Sequence, residues 1–160
     1  MRRPRALCLQ ERVIAHFGGL GWRLLPCGPL RRGADTIDRL ELLLDLGQSP
    51  EPDWPAFLRQ VPDAGAVDAP QRSVCLTRGE VLKFYRSPAD SLGFALIAHT
   101  GPVDFVQRLR RRPGWDLVPA TTEEDAFARV GLPWIAPTLR ALPDVIELAE
   151  RGCLPEEPPA

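Results

Sequence analysis

Apolar residues from Leu9 to Leu20 recur at helical spacing and stop at Gly18-Gly19, which predicts a first helix there. "WRLLPCG" (22–28) is too short for a helix and reads as a strand, and the polar "PLRRGADTID" (29–38) reads as a turn and loop. "RLELLLDLG" (39–47) predicts a strand whose apolar run means burial on both faces. "EPDWPAFLRQV" (51–61) predicts a helix with an acidic, proline-containing first turn. Residues 64–86 read as two strands joined at Arg78-Gly79.

Helical spacing then takes over. It predicts helices over 89–101, over 102–115 between Pro102 and Pro113-Gly114, and over 121–132 behind a threonine cap and a run of acids. A proline-punctuated segment (133–143), a last short helix and a tail follow. Strands in front and helices behind predict an α+β chain.

Composition narrows the function classes. A chain of 160 residues holds one domain, or two small ones sharing a core. The net charge of −1 gives no global signature of nucleic-acid binding, so such binding would rest on local patches. No apolar run approaches the roughly 20 residues that span a bilayer, so no membrane partner is expected. The basic start "MRRPRALCLQER" lacks the apolar core of about 7–15 residues that a signal peptide needs, so the expected compartment is the cytoplasm. Cys8, Cys27, Cys75 and Cys153 form no CxxC pair, and only His16 and His99 accompany them, so free thiols and no zinc are expected. His16 is expected on the apolar face of the first helix, and His99 at a helix end where a cation suits the dipole. The four tryptophans are expected to pack.

Four strings, in order, carry a resemblance: "CGPLRRG" (27–33), "DSLGFALIAHTGP" (90–102), "TTEEDAFARVGLPWIAPTLR" (121–140) and "ELAERGCLP" (147–155). Together they resemble the palm and thumb of family X DNA polymerases, the polymerase-beta-like nucleotidyltransferases, and especially the bacterial members. The resemblance covers roughly Leu9 to Pro155. It implies a palm-like nucleotidyltransferase domain over 8–88 (a mixed sheet with helices), a small α/β thumb-like domain over 89–155 and a tail over 156–160. On this resemblance, no counterpart of the family's lyase domain, its DNA-gripping fingers, or the C-terminal phosphoesterase-type domain of bacterial members is expected in these 160 residues.

The resemblance also marks departures. Its three metal-binding aspartate positions fall on Arg39, Glu41 and Lys83. The turn serine is Pro29, the Tyr-Phe pair at the nucleotide sugar is Ala98-His99, the serine of the following Thr-Gly-Ser is Pro102, and the asparagine at the base edge is Val106. Two-metal phosphoryl transfer needs a cluster of anionic oxygens, whereas two cations and one carboxylate stand here. Arginine cannot deprotonate to relieve the conflict. Asp38 has the wrong strand parity, and Asp45 lies about 13 Å beyond Glu41.

No catalytic residue, metal or other cofactor is therefore expected, and Arg39 and Lys83 are expected to flank Glu41 where metals would sit. Phosphate or DNA contacts are expected from Arg31 and Arg32 in the turn and from Arg108, Arg110, Arg111 and Arg112 in "RLRRR". Such a patch alone would hold DNA weakly. The resulting expectation is a catalytically inactive accessory or scaffold protein in DNA repair or replication, binding a protein partner and DNA only in support. The alternatives are an active nucleotidyltransferase with rearranged carboxylates and a phosphate- or nucleotide-binding module. The oligomeric state is left open.

Overall fold

The structure, a computed structural model, describes residues 1–158. Helix α1 (Arg3–Gly19) starts six residues before the predicted point, with Pro4 in its first turn, where a missing N–H costs nothing. It buries Ala6, Gln10, Val13 and Phe17. That stripe leaves His16 exposed, contrary to expectation. Strand β1 (Arg23–Pro26), the one-turn helix α2 (Gly28–Arg31), strand β2 (Leu40–Gly47) and helix α3 (Trp54–Arg59) follow. The Asp53 carboxylate caps α3 by accepting from the Ala56 N–H at 3.3 Å.

Residues 64–88 form three strands where two were predicted: β3 (Ala64–Asp68), β4 (Ser73–Leu76) and β5 (Val81–Pro88). The Asp68 carboxylate accepts from the Gln71 N–H at 3.2 Å and Arg72 adopts φ +51°, so the chain reverses there. β3 lies at the sheet edge, largely exposed, and so lacks the alternation that would have revealed it. Four helices complete the chain: α4 (Leu92–Thr100), α5 (Val103–Arg110), α6 (Glu123–Arg129) and α7 (Val145–Glu150).

The five strands form one mixed sheet in the order β1-β2-β5-β4-β3. β2 and β5 run parallel at its centre, and the other pairs are antiparallel. As predicted, β2 is buried on both faces. Leu40, Leu42 and Leu44 meet α1 and α3 in a core with Phe17, Phe57 and Phe84, the first two rings stacked at 4.5 Å. On the opposite face Leu43 packs with Cys27 and Leu92. A second core, built on Ile97, Phe105, Leu109, Phe127 and Ile135, belongs to the helical half. Within the helical half α4 and the chain entering α6 touch at Gly93, whose N–H donates to Ala120 O at 2.9 Å, and where any Cβ would collide with the Thr122 carbonyl.

Candidate functional site

In the parallel β2–β5 ladder Glu41 is opposite Lys83 and Leu43 is opposite Tyr85. Residues two apart share a face, so the central sheet presents Glu41, Lys83 and Tyr85 together. Glu41 is only 9% exposed. Tyr85 Oη donates to Glu41 Oε1 at 2.5 Å, and Arg39 Nη2 donates to the same oxygen at 3.4 Å. Burial, followed by the bond to Glu41, pushes the Tyr85 phenol up from its ordinary pKa, so the proton stays on the phenol. Gly28 closes the other side with φ +71°, and a Cβ there would run into the Glu41 carboxylate. His99 stacks on Tyr85 with ring centroids 3.8 Å apart. Burial first, then Arg110, Arg86, Arg72 and Lys83, lower its pKa to about 4, so His99 is neutral at pH 7 and is not the dipole-balancing cation expected.

Lys83 departs from expectation despite the register that pairs it with Glu41. Its ammonium turns to the Gln71 carbonyl and lies 5.6 Å from the centre of the Tyr85 ring. Only Arg39 reaches Glu41, and its side chain is half exposed. Tyr85, which sequence reasoning passed over, holds the central position.

The donor set does not fit the two divalent ions that the resemblance implies. Among the described residues Glu41 is the one buried carboxylate on the sheet, and one of its oxygens is already held by two donors. Asp45 is paired with Arg23 at 3.0 Å, and Asp38 lines a separate hollow with Arg5 and Glu80. Among the described residues no three Asp, Glu, His or Cys side chains form a group that could hold a metal ion.

The turn arginines face inward. Arg31, expected at a phosphate, instead clasps Glu123 through two bonds of 2.7 Å and donates to Thr100 Oγ1 at 2.9 Å. Arg32 donates to the Thr100 carbonyl at 2.5 Å, at the C-terminal end of α4, where a cation suits the dipole. From the other side Arg140 makes a second bidentate pair to Glu123, at 2.9 and 3.0 Å. Arg140 is 1% exposed, and Glu123 is 3% exposed. Burial opposes the Glu123 charge, but the bonds from Arg31 and Arg140 outweigh it and hold the pKa down to about 2. Trp134 Nε1 adds a further donor at 3.1 Å.

Two arginines of "RLRRR" are likewise internal, where phosphate contacts were expected. Arg108 donates to Pro143 O at 2.8 Å and pairs with Glu147, while Arg112 donates to Val130 O at 2.9 Å and to Glu150 at 2.6 Å. They fasten α5 and its exit to α7 and to the end of α6. Arg110 and Arg111 are exposed and have no acceptor among the described residues.

The fold recurs among solved structures. A crystal structure of Leishmania infantum polymerase beta, a ternary gap complex, matches over 88% of this chain and 70% of that chain with a TM-score of 0.68. The chain has a polymerase-beta-like fold. Identity to that protein is 14%, so the likeness is one of fold. No protein-family model and no curated protein matches the sequence. Within the polymerase-beta-like fold, Glu41 and Lys83 stand on the central pair, Arg39 immediately precedes β2, and the turn at Gly28 faces Glu41. No helix among the described residues is long and apolar enough to cross a membrane.

Sequence reasoning could have found Tyr85, two residues beyond Lys83 on the same strand face. The Glu123–Arg140 pair had no such signal. Glu123 sits in an acidic first turn, where macrodipole compensation is the ordinary reading, and Arg140 follows a proline-broken segment without periodicity.

Proposed function

We propose that this protein is a non-catalytic member of the polymerase-beta fold group. It consists of a palm-like part (8–88) and a thumb-like part (89–155), and works as an accessory or scaffold protein in DNA repair or replication. Its ligand is a protein partner, with DNA contributing weakly at most. One observation carries the reading: the only buried acid at the would-be metal centre, Glu41, is held by Tyr85 and Arg39. A divalent ion would have to displace a phenol and a guanidinium to reach one carboxylate, against the nearby charge of Arg39. The inward-facing Arg31 and Arg32 support the same conclusion, since they join the two halves and do not line an open anion site.

The test is nucleotide incorporation on gapped and single-stranded DNA, with Mg²⁺ and with Mn²⁺. The expected result is none above a heat-killed control. Incorporation that disappears in Glu41→Gln would overturn the reading and favour an enzyme with rearranged ligands.

A further inference from the structure

A cavity of 450 Å³ lies beside His99, between α4 and the chain leaving α5. One wall is Ala95, Ala98 and His99, spaced i, i+3 and i+4 along α4. The other is Trp115, whose ring meets Phe94 edge-on at 4.9 Å and carries the Arg110 guanidinium 6.0 Å from its centre. Small residues facing an indole leave a slot that admits a large apolar side chain. Arg110 at its mouth has no acceptor among the described residues, and Asp116 is the only carboxylate in the lining. Of the four cations that, after burial, lower the pKa of His99, Arg110 comes first and is the one that lines the cavity. Next along the chain, Leu117 and Val118 are 56% and 49% exposed.

We propose that this pocket is a docking site for an acidic peptide segment of a partner protein. A large apolar residue of that segment enters the slot between α4 and Trp115, and a neighbouring carboxylate pairs with Arg110. Charge complementarity selects an anionic occupant. The apolar rim and the small number of free cations select protein over nucleic acid, since phosphate-driven binding grows with the number of phosphates neutralised and Arg108 and Arg112 are already paired. An aromatic residue and an arginine around a recess are also what concentrates binding energy at protein interfaces. The proposal rests on the non-catalytic scaffold reading for its setting, and its chemistry can be tested independently.

The test is selection of a random dodecapeptide library on the immobilised full chain, with Arg110→Glu as counter-bait and Ala98→Phe as a slot-filling second variant, each checked by thermal melting. Enriched peptides are expected to place Asp or Glu next to a large apolar residue. A synthetic representative should bind the parent at least about tenfold more tightly than Arg110→Glu. No enrichment, enrichment without acids, or equal binding to parent and Arg110→Glu would overturn the proposal. So would a single-stranded oligonucleotide that binds the parent more tightly than the peptides and is lost in the same variant. Failure here with a blank incorporation assay removes the docking site alone. Metal-dependent incorporation removes the non-catalytic reading and leaves the peptide result to be judged on its own.

Discussion

Two buried glutamates in one small chain are kept in different ways. Glu123 has a complete cage: two bidentate guanidiniums and an indole N–H drawn from both halves of the molecule. Glu41 has a partial one: a short phenol bond, a long contact to a half-exposed arginine, and a glycine that makes room. The difference shows where the fold depends on charge. The cage around Glu123 is a joint between the halves, and removing its centre leaves two arginines facing one another, one of them fully buried. The cluster at Glu41 is local to the sheet and to one turn, with a solvated partner.

The largest effect is expected from Glu123→Ala. It strands the buried Arg140 charge and should lower unfolding stability by about 3–5 kcal/mol in denaturant titration. A loss comparable to that of an exposed pair would show that the halves are joined by packing alone. Next comes acid. The Glu123 carboxyl is held at about 2, below its ordinary 4.5, so its contribution is present above pH 4.5 and is lost as pH falls from there towards 2. His99, lowered to about 4 from 6.5, acts in the same direction: full stability above pH 6.5, declining as pH falls towards 4 because the unfolded chain binds the proton more readily. Melting temperatures from pH 7 to pH 2.5 should therefore fall in two stages. A flat profile between pH 6.5 and 4 would remove His99 from the account, and Glu123→Ala should shrink the lower stage to what the other arginine-paired carboxylates, Glu51, Asp63, Glu80 and Glu147, contribute.

Smaller effects separate the two donors at Glu41. Tyr85→Phe removes the short bond to a buried carboxylate and should cost about 1–3 kcal/mol. Arg39→Ala, at a half-exposed position, should cost less than about 1 kcal/mol. The reverse order in the same titration would make Arg39 the principal partner.

The legible parts of the fold were those in which one physical demand acts along a continuous stretch. The apolar run of β2 announced burial on both faces, Thr122 caps α6 by accepting from the Asp125 N–H at 3.1 Å, and glycine and proline marked the helix ends. Segments under two demands were not legible. The basic start of α1 was hidden because its buried stripe begins only at Ala6, and β3 is a strand held by one neighbour. At the candidate site, the family resemblance set Lys83 beside Glu41 and the strand register pairs them along the backbone, but a flexible ammonium chose the Gln71 carbonyl. Arginines were the least readable residues. Arg31, Arg108 and Arg112 all looked available to an external anion, and their internal acceptors, distant in sequence, could be known only from the packed molecule.

The in-register parallel pair β2–β5 has a bearing on design. Positions 41 and 83 lie on adjacent strands about 4.8 Å apart, facing the same side, whatever side chains they carry. Aspartates at 41 and 83, with a smaller residue for Tyr85, would therefore face one volume without any movement of the main chain. The cationic and phenolic character of this corner is set by a few side chains on a regular frame, and that frame offers a starting point for building a divalent-cation site by substitution alone.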